Sequence, residues 1–258
     1  MQLRSRFIEY MPYLSPYMTK YFYDLSGNNP QQKINKEDTI MFFDTETTGL
    51  FRQSNIPYML QLSFILYDVK QKHIVKTYNE FIQIPTYVTI PEASIQVHGI
   101  TQNQLDSQGI PIEQALTEFY HGYMNSSMII GHNIQYDIQV IRAEILRNYD
   151  KMIELGCKEP QYVFQPEYQL QNQMNCVCTM QNTIDYCNLL TESKTVNKDG
   201  SKRFYKKYPK LSELYYSIFK EQPKNLHDAL EDVKICMQCY LELTEKNGHI
   251  FKAYKIDK

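Results

Sequence analysis

The stretch of chain that decides the fold spans residues 39–50 and reads Thr39-Ile40-Met41-Phe42-Phe43-Asp44-Thr45-Glu46-Thr47-Thr48-Gly49-Leu50. It begins with a short, mainly apolar run, which is typical of a strand buried on both faces. The run ends in two carboxylates one residue apart. Because side chains alternate along a strand, Asp44 and Glu46 are expected to point to the same face.

Two carboxylates held side by side repel each other and are costly to remove from water. A divalent cation between them relieves both costs, and ligands of this kind favour Mg²⁺ or Mn²⁺. The pattern therefore predicts a metal site at Asp44 and Glu46. The alternative at this point is a solvent-exposed Glu46 in a turn that Gly49 closes, because the Asp-x-Glu pattern is common on its own.

The hydrophobic pattern on either side of this stretch predicts strands and helices in alternation. Strands are expected at about 58–68, 73–84, 128–130 and 174–178, and helices at about 92–97, 111–124, 134–148, 210–219 and 228–246. The segment 149–172 is expected to be mostly loop. Three consecutive strands near the start suggest an antiparallel meander, and the later strands follow helices.

A second carboxylate follows a second short apolar strand. Residues 130–137 read Ile130-Gly131-His132-Asn133-Ile134-Gln135-Tyr136-Asp137. This pattern places Asp137 in the first turn of a helix, beside the end of a strand. An acidic residue there also compensates the helix dipole, so the pattern alone leaves a purely structural role open.

A third cluster lies before the last helix, in Leu226-His227-Asp228-Ala229-Leu230-Glu231-Asp232-Val233. Residues five apart differ by about 140° around a helix, so His227 is expected on the preceding loop and Asp232 within the helix. A mobile imidazole beside a metal-binding carboxylate suits a general base that activates water. Asp228 and Asp232 share a helix face, which leaves Asp228 as an alternative ligand. The acids Asp68, Asp150, Asp185 and Glu144 have no inferred partner and are expected to be solvated.

Together and in this order, the three clusters resemble the motifs of the DnaQ-like DEDDh 3′–5′ exonucleases, the family of the epsilon subunit of bacterial DNA polymerase III. The matching stretches are residues 44–50, 131–137 and 227–232, with accessory similarity at Val97-His98-Gly99-Ile100-Thr101 and at residues 208–215. The resemblance covers about residues 38–245. It implies an α/β fold of the ribonuclease H-like type, with three layers and a mixed five-stranded sheet flanked by helices.

The resemblance also implies a role for each matching residue. Asp44, Glu46 and Asp232 would hold one Mg²⁺ or Mn²⁺ ion, and Asp44 would bridge to a second ion that Asp137 binds directly or through water. His227 would deprotonate the attacking water. Thr47, Leu50 and His98 would grip the terminal nucleotide.

The expected function is therefore a metal-dependent 3′–5′ exonuclease that releases nucleoside 5′-monophosphates from single-stranded DNA or RNA 3′ ends. DNA is slightly favoured, because the third-motif region is similar to that of epsilon-like members. The alternative is a catalytically weak nucleic-acid-binding or polymerase-docking subunit with the same fold, since a fold does not by itself set a function.

The domain limits follow from the same comparison of patterns. The exonuclease domain is expected over residues 38–248. A Tyr-rich N-terminal extension precedes it over 1–37, and a tail follows over 249–258. The extension is a candidate contact for a polymerase or another protein; the alternative is that its aromatic residues pack on the main body.

The charge of the chain excludes a global positive field but leaves room for a local one. The 258 residues, 43% hydrophobic and 22% charged, carry a net charge of −2. Residues 191–210 carry a local charge of +5, from Lys194, Lys198, Lys202, Arg203, Lys206, Lys207 and Lys210 against Glu192 and Asp199. Asp199-Gly200 predicts the tight turn of a hairpin. Interleaved aromatic residues favour contact with nucleic acid, and the alternative is a solvated hairpin with Tyr208 packed on the core.

The six cysteines are expected to be reduced thiols, because the chain is far larger than the secreted scaffolds that depend on disulfides. A zinc site formed by Cys176, Cys178, Cys236 and Cys239 is the disfavoured alternative, since Cys236 lies deep in a helical pattern. No apolar run is long enough to span a membrane, and no secretory leader is recognised. An intracellular protein, cytoplasmic or nuclear and without membrane contact, is expected.

Overall fold

The computed structural model describes residues 34–52, 55–196, 199, 201–223, 226–246, 248, 250–254 and 256. Its central sheet contains β1 (Thr39–Thr47), β2 (Met59–Asp68), β3 (His73–Phe81), β4 (Met128–Gly131) and β5 (Asn175–Cys178), in the order β3-β2-β1-β4-β5. The first three strands pair antiparallel, and β4 and β5 continue the sheet in parallel with β1. The predicted mixed five-stranded sheet is confirmed.

Ten α-helices are described around the sheets. They are α1 (Glu92–His98), α2 (Gln102–Gln108), α3 (Ile112–Met124), α4 (Gln135–Arg147), α5 (Tyr149–Glu154), α6 (Pro166–Gln171), α7 (Thr179–Asn182), α8 (Ile184–Cys187), α9 (Leu211–Phe219) and α10 (Ala229–Lys246). The longer helices agree with the predicted ranges. The expectation that 149–172 is mostly loop is wrong, because α5, a 3₁₀ turn and α6 lie there. Helices of about six residues are too short to show a helical period in sequence.

Both faces of β1 are buried, and its alternate residues contact different helices. Met41 and Phe43 belong to the core cluster that contains α3 and α4 residues such as Phe119 and Ile138. The neighbouring positions Ile40 and Phe42 pack with Val233 and Cys236 of α10. The fold therefore has three layers, with the sheet between α3 and α4 on one side and α10 on the other.

This arrangement gathers the sequence motifs at one edge of the sheet. Because β1, β4 and β5 are parallel, their carboxyl ends lie at the same edge. The Asp44–Glu46 pair is near the end of β1, and the segment that leads into α4 follows β4. Clefts outside the carboxyl ends of parallel strands are the usual place for ligands in open α/β sheets.

The basic segment forms a separate two-stranded sheet, β6 (Leu190–Val196) with β7 (Lys202–Lys206). The predicted hairpin is therefore present. Part of the predicted Asp199-Gly200 turn lies outside the described residues, as do residues 197 and 198 of the connection.

The two ends of the chain are described only in part. Of the expected extension at 1–37, residues 1–33 lie outside the described residues, and Lys36 donates hydrogen bonds to Tyr168 and Asn172. Within the expected tail at 249–258, the main chain of Tyr254 exchanges two hydrogen bonds with Cys176 of β5. In the described part of the chain, no helix combines the length and apolar character needed to cross a membrane.

Candidate metal centre and active site

Three carboxylates converge at the carboxyl edge of β1. Asp44 and Glu46 continue the face of β1 that packs on α10, and Asp232 lies in the first turn of α10. One oxygen from each of the three side chains lies within 4.8 Å of the other two. The alternative of a solvent-exposed Glu46 does not hold, because its side chain belongs to this partly buried group.

The start of α10 explains why Asp232, and not Asp228, joins the group. The Asp228 carboxylate accepts hydrogen bonds from the main-chain N–H groups of Leu230 and Glu231, both at 3.1 Å. A carboxylate in this position caps the helix by satisfying N–H groups that have no partner within it. Asp228 is therefore occupied as the cap, and the group within 4.8 Å contains Asp232 instead.

The electrostatics of this group fit a divalent cation. Burial, followed by repulsion from neighbouring carboxylates, raises the pKa of Asp44 well above its ordinary value and that of Glu46 to about 8. Burial also raises the pKa of Asp232 to about 6. One buried oxygen of Asp232, Oδ1, has no hydrogen-bond partner within the described chain. An unsatisfied buried oxygen amid mutually repelling carboxylates suits Mg²⁺ or Mn²⁺, which neutralises the charge and takes oxygen ligands.

Asp137 approaches the group from the opposite face of β1. It lies in the first turn of α4, as predicted, and is buried. Its Oδ1 accepts two hydrogen bonds from Thr45, from Oγ1 at 2.7 Å and from the main-chain N–H at 3.0 Å. Burial raises its pKa to about 7, and the Thr45 hydrogen bonds act in the opposite direction. Asp137 is not in the group within 4.8 Å, and its expected role at a second ion stays a prediction.

His227 lies on the loop that precedes α10, as expected from its spacing to Asp232. Its side chain is exposed, and its backbone has a positive φ of 70°. Both the charge of His227 and a hydrogen bond from its main chain lower the pKa of Asp232, against the larger effect of burial. The imidazole is therefore next to the carboxylate group, and its role as a base stays a prediction.

Two of the expected nucleotide-binding residues lie where β1 ends, because Thr47 is the last residue of the strand and Leu50 lies just beyond it. Thr47 Oγ1 donates to the carbonyl of Gly49 at 2.9 Å and also bonds to the hydroxyl of Tyr136, the residue before Asp137. The φ of 144° at Gly49 falls in a region that favours glycine. Leu50 follows, with 68% of its surface exposed. An apolar side chain this exposed is available for contact with a ligand.

His98 occupies the junction between α1 and α2. Gly99, with a φ of 73°, ends α1, and Thr101 caps α2. The main-chain N–H of Ile100 donates to His98 Nδ1 at 3.0 Å, so Nε2 carries the proton of the neutral ring. Nε2 is buried, and no group in the described part of the chain meets the geometry of a hydrogen bond to it, although the nearby main chain of Thr47 acts to raise the pKa of His98. Burial lowers the pKa of His98, which favours this neutral form.

Sequence reasoning missed Gln61, which connects β2 to the start of α10. Gln61 lies opposite Glu46 in the sheet. Its Nε2 donates to Asn79 at 2.9 Å and to Asp228 at 3.2 Å, and its Oε1 accepts from the main-chain N–H of Ala229 at 3.3 Å. The signal available in sequence was a glutamine inside the mainly apolar run 59–66, in which Ser63 is the second polar residue.

Two acids that were expected to be solvated are instead buried, so the prediction is wrong for Glu144 and Asp68. Glu144 accepts from the main-chain N–H of Met59 and pairs with Arg147. Asp68 accepts from the N–H groups of the turn that follows β2. Such local partners are visible only once the fold is known. Asp150 and Asp185 are exposed, as predicted.

The cysteines agree with the preferred expectation. All six are free thiols, and five of them are buried. In the part of the chain that the structure describes, the group of Asp44, Glu46 and Asp232 is the only set of three or more metal-ligating side chains that meets. The alternative zinc site therefore has no support.

Comparison with known proteins agrees with this geometry. The family model described as "Exonuclease" matches residues 41–240. The DNA polymerase III subunit epsilon of Buchnera aphidicola is 24% identical over 225 residues, which cover 87% of this chain and 80% of that protein. The PolC-type DNA polymerase III of Thermotoga petrophila is 29% identical over 107 residues, covering 42% of this chain and 7% of that protein.

Solved structures show the same fold. E. coli Exonuclease I in complex with a dA16 oligonucleotide aligns with a TM-score of 0.60 and 16% identity, over 83% of this chain and 42% of that one. This chain thus spans less than half the length of that structural relative. The expected ribonuclease H-like fold and DnaQ-like 3′–5′ exonuclease family are confirmed. Because the family model covers most of its length, the chain belongs to the exonuclease family.

Proposed function

We propose that this chain is a metal-dependent exonuclease that removes nucleoside 5′-monophosphates from the 3′ ends of single strands, with DNA slightly favoured over RNA. The observation that carries the proposal is the convergence of Asp44, Glu46 and Asp232 at the carboxyl edge of the sheet, with one Asp232 oxygen unsatisfied. Clustered carboxylates of this kind are the ligands that phosphodiester-cleaving enzymes use for divalent ions.

The residues divide into ligands of two metal positions. Asp44, Glu46 and Asp232 would hold a first Mg²⁺ or Mn²⁺, and Asp44 together with Asp137 would serve a second. Thr45 donates to one oxygen of Asp137, Oδ1, and the second oxygen would be the one that faces the ion or a water. When bound, such a pair of ions stabilises the entering and leaving oxygens of an in-line displacement at phosphorus.

His227 is proposed as the general base. It is exposed, it lies on a loop, and its charge affects Asp232. An imidazole within hydrogen-bond reach of a water can accept its proton. The role of His227 would be to accept the proton of the attacking water beside the carboxylate group.

Thr47, Leu50 and His98 are proposed to hold the terminal nucleotide. The exposed Leu50 offers an apolar surface for a base or sugar, and the unpartnered Nε2–H of His98 is a hydrogen-bond donor. The solved E. coli Exonuclease I complexes contain dA16 and dT13 oligonucleotides, which supports single-stranded DNA as the substrate. Relatives named as DNA polymerase III subunits support a polymerase as a partner, for which the extension at 1–37 is the proposed contact.

A time course on 5′-labelled single strands of DNA and RNA tests the function. With Mg²⁺ or Mn²⁺, the label should appear in a ladder that shortens from the 3′ end, with nucleoside 5′-monophosphates as products, and EDTA should stop the reaction. Release of the 5′ label or internal cuts would overturn the proposed polarity. Strands that are bound but never shortened would favour the binding-subunit alternative.

A further inference from the structure

A basic hairpin extends from the domain, defined here as residues 190–210, which contain β6 and β7. The chain as a whole carries −2, whereas residues 191–210 carry +5. The rest of the chain therefore carries −7, because −2 less +5 is −7. A positive field this localised attracts polyanions to one place on a protein that repels them elsewhere.

The hairpin also exposes aromatic side chains. Phe204 is 55% exposed and Tyr205 is 53% exposed, and as neighbours on β7 they point to opposite faces. Tyr208, just after β7, is 58% exposed, which is against the alternative that it packs on the core. Exposed aromatic rings interleaved with cations are typical of surfaces that stack bases and follow a phosphate backbone.

Four cations of the hairpin, namely Lys194, Lys202, Arg203 and Lys206, are available to a ligand. Lys202 pairs with Glu192 at 3.0 Å and Lys206 pairs with Asp185 at 2.7 Å, both at the surface. Exposed pairs of this kind contribute little stability, so a phosphate can replace the carboxylate. Lys194 and Arg203 have no carboxylate partner among the residues that the structure describes.

The base of the hairpin is fixed at the edge of the sheet where the carboxylates converge. His132, which directly follows β4, contacts the carbonyl of Pro209 through Nε2 at 3.0 Å. Burial lowers the pKa of His132 to about 4, so the ring is neutral and Nε2–H donates to this carbonyl. At the other end of the hairpin, α7 and α8 connect it to the carboxyl end of β5.

We propose that this basic hairpin binds the part of a single strand that lies 5′ of the nucleotide held at the carboxylate group. The strand would pass over both faces of the hairpin, with phosphates at Lys194, Lys202, Arg203 and Lys206 and with bases stacked on Phe204 on one face and on Tyr205 on the other. The inference rests on the proposed function, because a 3′ end at the carboxylates places the remaining strand at this edge. A second copy of the hairpin is a poor occupant, since two surfaces of +5 repel each other.

The test measures oligonucleotide affinity, so that it does not depend on hydrolysis. Fluorescence polarisation of a labelled strand of about 20 nucleotides is followed against salt, in EDTA and on an Asp232→Asn background that keeps the strand intact. The charge variant is Lys194→Gln with Arg203→Gln, and the aromatic variant is Phe204→Ala with Tyr205→Ala. The matched control is Lys70→Gln with Lys72→Gln, which removes two exposed lysines from the turn at the opposite edge of the sheet.

The charge variant should lower the slope of log affinity against log salt by about 1.4, since each single-strand phosphate contact contributes about 0.7. The aromatic variant should weaken binding by at least about fivefold per base that loses its stacking partner. The control should match the parent protein. Slopes and affinities equal to those of the control in both variants would overturn the inference. It would also be overturned if the protein self-associates and both variants abolish that self-association, because the hairpin would then bind a second copy of the chain.

The same proteins separate this inference from the proposed function. With Asp232 restored, the ratio of kcat/KM on the long strand to kcat/KM on a dinucleotide should fall in the hairpin variants. If the wild-type chain binds the long strand through the hairpin but hydrolyses neither substrate, the proposed function fails and the binding surface stands. If it hydrolyses both and the ratio is unchanged, the hairpin inference fails alone.

Discussion

Thr45 donates two hydrogen bonds to one carboxylate oxygen of Asp137, from its hydroxyl at 2.7 Å and from its main-chain N–H at 3.0 Å. Thr45 lies between Asp44 and Glu46 but points to the other face of β1. The strand therefore presents the carboxylates of Asp44 and Glu46 on one face, and on the other face its Thr45 supports the carboxylate of Asp137. Through this contact, the first motif determines the orientation of the second.

Thr45→Val removes the hydroxyl donor and keeps the shape of the side chain. The Asp137 carboxylate then loses a bond that favours its charged form, so its pKa rises further. We expect kcat to fall by about 10- to 100-fold, as for other residues that orient metal ligands, and the acid limb of the pH–rate profile to move to higher pH. Thr45→Ser keeps the hydroxyl and should restore most of kcat. A Val variant with the wild-type profile would contradict this positioning role.

His227→Ala tests the proposed base. Loss of a general base lowers turnover by about 10²- to 10⁴-fold, and Mn²⁺ affinity measured by calorimetry should stay close to that of the wild type. Added imidazole should recover part of the lost rate, because the small molecule can reach an exposed position. If kcat is unchanged, or if the variant loses its metal affinity, the assignment of His227 is wrong.

The carboxylate group predicts a pH-dependent stability that metal suppresses. The pKa of Glu46 is raised to about 8 and that of Asp137 to about 7, whereas both are near 4 in an unfolded chain. Between these values the folded state holds protons that the unfolded state has lost, so stability falls as pH rises. In EDTA, Tm should drop by about 5–10 °C from pH 6.5 to 8.5, since about 2–3 kcal/mol is lost.

Thermal scans with and without Mg²⁺ measure this effect. Mg²⁺ should reduce the drop, because the ion stabilises the charged carboxylates. Glu46→Gln should also reduce it, because the group that titrates near pH 8 is gone. His132, with its pKa lowered to about 4, acts mainly between that value and the unfolded value of about 6.5, so its effect above pH 6.5 is small and opposite in sign. An equal drop in EDTA for the wild type and Glu46→Gln would argue against the raised pKa.

Gln61→Leu tests the link between β2 and α10. The change leaves the N–H of Ala229 without its partner and removes a donor from Asp228. Each buried polar group left unsatisfied costs about 1–3 kcal/mol, so we expect about 3 kcal/mol of lost stability in urea unfolding. Gln102→Leu, on the exposed face of α2, is the control and should change stability by no more than about 0.5 kcal/mol. A loss of stability as small as that of the control would show that Gln61 does not stabilise the link between β2 and α10.

Much of the site could be predicted from the sequence because β1 obeys strand alternation. The even positions of residues 40–46 lead from Ile40 and Phe42 to the two carboxylates, so the face that packs on α10 is also the face that meets Asp232. The five-residue spacing of His227 and Asp232 likewise placed the histidine before the helix. Strand alternation and the spacing of residues along a helix are local properties, so they can be predicted from sequence without knowing the fold.

What the sequence did not reveal depends on contacts between distant segments. Gln61 and Asp228 are far apart in the chain, and neither segment contains a sequence pattern that predicts their contact. Glu144 appeared to be a surface acid until the fold brought the N–H of Met59 to it. The helices α5 and α6 were missed because each is only six residues long, which is shorter than two turns.

The most direct test of the central claim compares Asp232→Asn with Glu231→Gln in hydrolysis of a 5′-labelled single strand in Mg²⁺. Both changes remove one negative charge from the first turn of α10, but only Asp232 belongs to the carboxylate group. Loss of a metal ligand should lower the rate by about 10²- to 10⁴-fold, as the ion contributes several kcal/mol to the transition state. Glu231→Gln should retain a rate close to that of the wild type. Equal rates in the two variants would contradict a metal centre at Asp44, Glu46 and Asp232.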